Sequence, residues 1–262
     1  MNTDLTGKRA LVCGGSKGIG LACAHELASL GATITLLARD AEAMKLACAS
    51  LPTPKSQSHA YLVADFYNSN ALKNTIDDAI KKSQRYEILI NNTGGPPGGQ
   101  AVDARPDEFA RAFEAHLLCN QVLTQALLPG MKAAGFGRII NIISTSVKAP
   151  IPGLGVSNTI RGAVANWAKT ISIELAPFNI TVNNVLPGFT DTERLSSLIS
   201  TRAGKQGATE NEVADLMRAS VPMGRFAKPE EIAAAVAFLA SPAASYISGI
   251  NLPVDGGRLP TL

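Results

Sequence analysis

The chain has 262 residues, of which 46% are hydrophobic and 17% charged, so it can bury a large core and is not expected to be disordered. Its net charge of +3 comes from basic residues scattered along the chain, a pattern that argues against a nucleic-acid partner. No apolar stretch is long enough to span a bilayer, and the first residues lack the apolar segment of a secretory signal, so we expect a cytoplasmic protein with no membrane partner.

Short apolar runs alternate with longer amphipathic runs along the whole chain. The predicted strands are Arg9–Cys13, Thr33–Ala38, Ala60–Ala64, Glu87–Asn91, Arg138–Ile143, Thr181–Leu186 and Asn251–Val254. The predicted helices are Gly18–Leu30, Ala41–Ser50, Ala71–Ser83, Pro106–Ala133, Asn158–Ala176 and Pro229–Leu239. This order predicts an α/β fold: one domain over residues 1–262, with a Rossmann-type doubly wound parallel sheet and helices on both faces. The polar segment Thr190–Pro222 interrupts the alternation, and we interpret it as a helical lobe over the substrate site, in which Leu195–Leu216 acts as a lid that excludes water.

The cysteine and histidine spacing gives no sign of a metal site. Cys13, Cys23, Cys48 and Cys119 form no CxxC pair, and the three histidines lie far from one another in the sequence. We therefore predict reduced, mostly buried thiols and no metal cofactor.

A glycine-rich turn follows the first predicted strand directly and opens a helix. It reads CGGSKGIG, from Cys13 to Gly20. Gly14 permits a tight turn, Gly18 lets the backbone approach a pyrophosphate, and Gly20 lets the helix pack closely on the strand. The main-chain N–H groups and the helix dipole would then hold the anion. The cofactor contacts predicted in this turn are Gly14, Ser16, Lys17, Gly18, Ile19 and Gly20.

Further motifs fall at the carboxyl ends of later strands, where open α/β sheets bind ligands. With the glycine turn, they are the Asp65 step, NNTG, NIIS, ITVNNVLPG and a closing VDGG. Through these motifs, nearly the whole chain resembles the classical-type short-chain dehydrogenase/reductase superfamily. The resemblance implies further cofactor contacts at Asp65, Phe66, Asn92, Gly94, Arg161, Pro187, Gly188 and Thr192, the last bonding the nicotinamide carboxamide.

The choice between NAD(H) and NADP(H) depends on the end of the second strand. NAD binders commonly place a carboxylate there, against the ribose 2′-hydroxyl. This chain has Ala38 followed by Arg39, and the glycine turn supplies Lys17. Two cations suit a 2′-phosphate, so we predict NADP(H) in preference to NAD(H). The alternative is that both are solvated surface charges.

The catalytic residues implied by the resemblance are an Asn-Ser-Tyr-Lys set, of which only the serine, Ser144, is present. The tyrosine position, thirteen residues later, holds Ser157, and the lysine position, four beyond that, holds Arg161. The asparagine position holds His116. A serine hydroxyl titrates too high to replace a tyrosine as the acid, and a guanidinium is a poor proton relay. The resemblance is therefore to an atypical branch of the superfamily that lacks the catalytic Tyr and Lys.

Two other residues are candidates for proton delivery. An imidazole titrates near neutrality, which suits His116, although a histidine that only packs in the core is the alternative. A desolvated lysine can also donate a proton near neutrality, which suits Lys148, although it could be a solvated loop lysine. Ser144 and Ser157 could donate hydrogen bonds to a carbonyl or oxyanion, or could cap helices, with Ser157 as a helix N-cap.

These features predict an NADP(H)-dependent oxidoreductase that reduces a carbonyl or a conjugated enone of a small-molecule substrate. An activated enone needs less help from an acid, and the chain resembles tyrosine-less reductases of the superfamily, among them one of the bacilysin pathway. The missing Tyr and Lys argue against 3-oxoacyl-acyl-carrier-protein reductase activity. A sensor or scaffold that binds the cofactor without chemistry is the alternative, and a lyase or isomerase is a third. The resemblance implies a homotetramer, with a dimer as the alternative.

Overall fold

Seven parallel strands form one sheet in the computed structural model, which describes residues 1–82 and 85–261. The strands are β1 (Arg9–Cys13), β2 (Thr33–Ala38), β3 (Ala60–Val63), β4 (Ile88–Asn91), β5 (Gly137–Ile142), β6 (Ile180–Pro187) and β7 (Asn251–Val254). Their order across the sheet is β3-β2-β1-β4-β5-β6-β7, and every neighbouring pair is parallel. The predicted doubly wound fold is confirmed. The order reverses between β1 and β4, the place where such sheets bind ligands.

Helices cover both faces of the sheet. They are α1 (Gly18–Ser29), α2 (Ala41–Ser50), α3 (Ser69–Lys81), α4 (Pro106–Phe113), α5 (Cys119–Ala134), α6 (Gly155–Leu175), α7 (Glu193–Gln206), α8 (Glu210–Ala219) and α9 (Pro229–Ala240). Most predicted boundaries agree within three residues; Ser83, the predicted end of the third helix, lies outside the described residues. Within the described ranges, no helix is both long and apolar enough to cross a membrane.

The predicted single helix Pro106–Ala133 is wrong in one respect, because it is interrupted. A π-helical turn, Glu114–Leu118, separates α4 from α5. Turns of this kind insert one extra residue and change the direction of the side chains that follow, and they are frequent at functional sites. No glycine or proline marks the position in the sequence, so periodicity alone could not locate it.

Two apolar layers hold the helices against the sheet. One packs α1, α2 and α9 on one face, and the other packs α3, α5 and α6 on the opposite face. The central strands β4 and β5 are buried along their whole length. This explains their unbroken apolar sequences, since parallel strands covered on both sides expose no face to water.

An asparagine ladder crosses four neighbouring strands near their carboxyl ends. Asn91, Asn141, Asn184 and Asn251 are register partners on β4, β5, β6 and β7. Each Nδ2 donates to the Oδ1 of the next residue, at 2.9, 2.9 and 2.8 Å. These bonds pair the amides inside the apolar sheet, where an unpaired amide is costly, while the buried Oδ1 of Asn91 at the β4 end has no partner among the described residues. A slip of one residue between any two strands would break the ladder, so it helps to fix their register.

We predict that Asn141→Ala destabilises the protein strongly. Asn141 is fully buried and both accepts and donates within the ladder, so its removal leaves two buried amide groups without partners and a small cavity. The expected loss is about 2–4 kcal/mol in the free energy of unfolding, measured by urea denaturation. Asn251→Ala, at the half-buried end of the same ladder, is the matched control and should lose about 1 kcal/mol or less. Equal losses would contradict a ladder whose inner members matter most.

Candidate active site

The glycine turn after β1 forms a close-fitting cradle. Gly14 has a φ of +59°, and a Cβ there would lie 2.6 Å from the main-chain oxygen of Asn92. A Cβ on Gly20 would lie 2.1 Å from the main-chain oxygen of Gly14, so α1 can approach the strand only with glycine at this position. The Nδ2 atom of Asn92 donates to the carbonyls of Cys13 and Gly14, at 3.3 and 3.4 Å. Asn92, predicted to contact the cofactor, therefore braces the turn.

The N-terminus of α1 suits an anion. Lys17 occupies the N-cap position, but no side chain caps the helix and its first turn contains no acidic residue. The first N–H groups of a helix lack intrahelical acceptors, and the dipole makes this end positive. The cradle therefore fits a dinucleotide pyrophosphate, with the main chain of Ser16, Gly18 and Ile19 as its predicted donors.

Arg39 and Asp65 follow neighbouring strands at the same edge. The main-chain N–H of Ala64 donates to the carbonyl of Ala38 at 3.0 Å, which brings the ends of β2 and β3 together. Arg39 is exposed and takes part in none of the ion pairs of the described residues. Its guanidinium is thus available to a phosphate. The neighbouring Phe66 is buried, with its carbonyl accepting from the thiol of Cys119.

Lys17, the second predicted phosphate-binding cation, has a partner that the sequence did not indicate. Its ammonium forms an ion pair with the carboxylate of Glu193, at the start of α7. Thr192 caps the same helix, because its hydroxyl accepts from the N–H of Leu195 at 3.4 Å. A Cβ on Gly18 would lie 3.4 Å from the methyl group of Thr192. The helical lobe (residues 190–222) therefore closes against the glycine turn. Pro187 ends β6, and Gly188 follows it towards this lobe.

Arg161 is a buried cation at the centre of the site. It lies on α6, and only 8% of the residue is exposed. Its Nη1 donates to the carbonyl of Ile142 at 3.0 Å, and its Nη2 reaches the carbonyl of Thr93 at 3.5 Å. Burial, with a smaller effect from Arg194, lowers its pKa to about 10. The guanidinium therefore remains charged at neutral pH.

His116 lies in the π-helical turn, joined to Arg161 through Thr93. Its Nδ1 is hydrogen-bonded to the Thr93 hydroxyl, while its Nε2 is buried without a partner among the described residues. Burial, together with the charge of Arg161, lowers the His116 pKa to about 2. The ring is therefore neutral at physiological pH and is not the imidazolium that the role of proton donor would need. When Nδ1 accepts from Thr93, Nε2 holds the hydrogen and can donate a hydrogen bond.

The remaining candidates lie around the turn after β5. Ser144 caps the 3₁₀ turn Thr145–Val147, accepting from the N–H of Ser146 at 3.1 Å, and its own hydroxyl hydrogen is free to donate elsewhere. Lys148 ends that turn and is partly buried. The expectation that Ser157 caps a helix is wrong, because α6 begins at Gly155 and Ser157 lies in its first turn.

Two residues of this site were missed by the sequence analysis. Thr93 was recognised only as part of the NNTG motif. Its hydroxyl bonds to His116 and its carbonyl accepts from Arg161, so it links these two residues. Arg194 lies in the helical lobe and donates from Nη2 to the carbonyl of Pro96 at 2.7 Å, across the loop that follows Gly94. An arginine in a polar segment gives no signal of such a contact, since the contact depends on how the lobe folds back.

Comparison with known proteins points to one family. A family model described as Enoyl-(Acyl carrier protein) reductase matches residues 14–258. The chain is 31% identical to a 3-oxoacyl-[acyl-carrier-protein] reductase FabG of Rickettsia prowazekii over 98% of both chains. It is 32% identical to a cyclopentanol dehydrogenase of Comamonas sp. over 95% of this chain and 96% of the relative.

Solved structures of two reductases have the same fold as this chain. The L-sorbose reductase of Gluconobacter frateurii, complexed with NADPH and L-sorbose, superposes with a TM-score of 0.93 at 29% identity, over 100% of both chains. YwfH, an NADPH-dependent reductase involved in bacilysin biosynthesis, superposes with a TM-score of 0.90 at 28% identity, over 97% of this chain and 99% of the other.

We predict that His116 makes folding pH-dependent. Its pKa is about 2 in the folded state and about 6.5 when unfolded, so the unfolded chain binds more protons between these values. The stability that depends on a neutral ring is thus complete above pH 6.5 and is lost as the pH falls, by up to about 1.4 kcal/mol per unit. The variant His116→Asn should show a flatter profile by that slope in urea denaturation between pH 5 and 7. Parallel profiles would show that His116 ionises normally.

Proposed function

The chain belongs to the short-chain dehydrogenase/reductase family, and we propose that it is an NADP(H)-dependent reductase of a carbonyl or conjugated enone with a non-standard proton donor. The observation that carries the proposal is the complete cofactor cradle with an unpaired arginine at the end of β2. Gly14 and Gly20 give the cradle its shape, α1 offers its uncapped N-terminus, and the exposed Arg39 would bind the 2′-phosphate. A bound reduced nicotinamide would supply the hydride.

The residues around the nicotinamide position favour charge stabilisation over proton donation. Arg161 is a fixed cation that can stabilise the negative charge developing on the acceptor oxygen. The hydroxyls of Ser144 and Ser157 and the Nε2 of a neutral His116 can donate hydrogen bonds to that oxygen. Lys148 is the remaining candidate for the proton itself. Such a site suits an acceptor that is already activated, such as a conjugated enone, because its reduction needs less assistance from an acid.

The range of acceptors includes those named for the relatives. FabG proteins at about one-third identity are 3-oxoacyl-acyl-carrier-protein reductases by name, so this activity is not excluded and belongs in the first screen.

The helical lobe of residues 190–222 acts as the substrate lid in this proposal, with Thr192 next to the nicotinamide carboxamide. We also expect a homo-oligomer, tetramer or dimer; exposed apolar residues such as Leu118 and Ile173 support an interface along α5 and α6.

We expect the protein to bind NADPH much more tightly than NADH. Arg39→Ser should weaken NADPH binding roughly tenfold or more, since a charge-assisted bond to phosphate contributes about 1.5–3 kcal/mol, and should leave NADH binding unchanged. Calorimetric titration of both nucleotides measures the difference. Arg85→Ser, which removes an arginine before β4 on the opposite edge of the sheet, is the control. Absence of binding by either nucleotide would overturn the proposal, whereas binding without turnover of any acceptor would favour a sensor.

Restoring the missing pair should improve reduction of an unactivated ketone. The double variant Ser157→Tyr/Arg161→Lys places a general acid and an adjacent ammonium at the family's positions, and general acids typically contribute about 10²–10⁴-fold. We expect the rate ratio of cyclopentanone to 2-cyclopenten-1-one, followed by NADPH absorbance, to rise at least about tenfold over the wild type. The single variants separate the two contributions. An unchanged ratio would show that proton delivery does not limit the native enzyme.

A further inference from the structure

Two guanidinium groups converge on the same point of the site. A Cβ built on Gly95 would lie 3.5 Å from Nη2 of Arg194 and 3.9 Å from Nη2 of Arg161. The two arginines come from different parts of the fold, since Arg161 is on α6 and Arg194 is in the first turn of α7. Gly95 lies between them without a side chain, so the space beside both guanidinium groups stays open.

No carboxylate of the described residues neutralises this pair. None of the ion pairs in residues 1–82 and 85–261 includes Arg161 or Arg194. The nearest acidic residue in the sequence, Glu193, is paired with Lys17 of the glycine turn. Two like charges that face each other without a counterion are unfavourable, and more so when one of them is buried. A negative group from outside the chain would remove this cost.

Comparison with Arg138 shows that the arrangement is unusual within this chain. Arg138 is also buried, but it donates to the carbonyls of Ser241, Gly137 and Asn179 and stacks on the ring of Phe136. Its hydrogen bonds thus join neighbouring main-chain segments, which is a structural role. Among the described residues Arg161 donates to two carbonyls only, whereas a guanidinium has five N–H donors. Its free edge faces Gly95 and the second arginine.

We propose that Arg161 and Arg194 form a subsite for a carboxylate of the substrate, so that the acceptor is an oxo acid or an unsaturated oxo acid. This inference rests on the proposed function and specifies its substrate class. Guanidinium forks match the two oxygens of a carboxylate, and a pair of them fixes both its position and its orientation. Arg161 is the rigid member, held by two main-chain carbonyls. Arg194 is the adjustable member, which exchanges its bond to the carbonyl of Pro96 for the incoming carboxylate.

A matched pair of small probes tests this subsite. Pyruvate and pyruvamide have the same shape and carbonyl group, but only pyruvate carries a charge. Dissociation constants are measured from the broadening of each probe's methyl resonance with the protein–NADP⁺ complex. We expect pyruvate to bind at least tenfold more tightly than pyruvamide, and added salt to weaken only pyruvate binding. Equal affinities for the two probes would overturn the proposal.

The variant Arg194→Gln tests whether the preference for pyruvate over pyruvamide depends on Arg194. This residue is exposed, so the substitution should not disturb folding, and pyruvate should then bind no more tightly than pyruvamide. Arg202→Gln removes the same charge from the same helix away from Gly95, and should leave the preference for pyruvate intact. If Arg194→Gln retains the full preference, or Arg202→Gln removes it, the subsite is not the one proposed.

The two proposals can fail separately. NADP⁺ binding is measured first, by calorimetry, and its absence counts against the reductase alone. In that case the probe titration is repeated on the cofactor-free protein, where a preference for pyruvate that depends on Arg194 still supports the subsite. Tight NADP⁺ binding without discrimination between the probes overturns the subsite and leaves the reductase proposal standing.

Discussion

The asparagine ladder is the constraint from which the geometry of the site follows. Each amide pairs with the next across β4, β5, β6 and β7, so the four strands end at a fixed level. The functional segments begin immediately afterwards: Asn92 and Thr93 follow β4, the carbonyl that holds Arg161 belongs to Ile142 at the end of β5, and Gly188 follows β6. A shift of one residue would turn these groups away from one another, because side chains alternate between the faces of a strand.

Charge is distributed unevenly over this edge of the sheet. The proposed cofactor half offers main-chain N–H groups, the α1 dipole and Arg39, while the proposed substrate half offers Arg161 and Arg194. Within the proposed substrate half, burial of the ring, together with the charge of Arg161, lowers the pKa of His116 and keeps it neutral. The buried cation can therefore attract negative ligands, and together with the burial of the imidazole it disfavours protonation of His116.

Much of this could be predicted from the sequence, because the signals are local. The glycine turn has a fixed spacing between a strand and a helix, and the position of Arg161 follows from counting along the chain from Ser144. Features that depend on distant pairing could not be predicted. Lys17 meets Glu193 across 176 positions, and Arg194 reaches Pro96 across 98. The π-helical turn and the start of α6 at Gly155 depend on packing, so Ser157 was misplaced as a cap.

In the proposed site, an arginine at the predicted lysine position has a physical reason, because the predicted tyrosine position holds Ser157. A lysine beside a tyrosine lowers the pKa of that tyrosine. Without the phenol, this effect of the lysine is no longer needed. Compared with lysine, arginine is a poor proton relay, but that loss matters little when there is no tyrosine. Its planar guanidinium binds carboxylates in a defined orientation. Ser157 has a much smaller side chain than the tyrosine that the family places there, and Gly95 has no side chain beside the guanidinium. The substitutions at these positions are thus mutually consistent with a site that holds an anionic, already activated acceptor against the cofactor and depends little on an acid of its own.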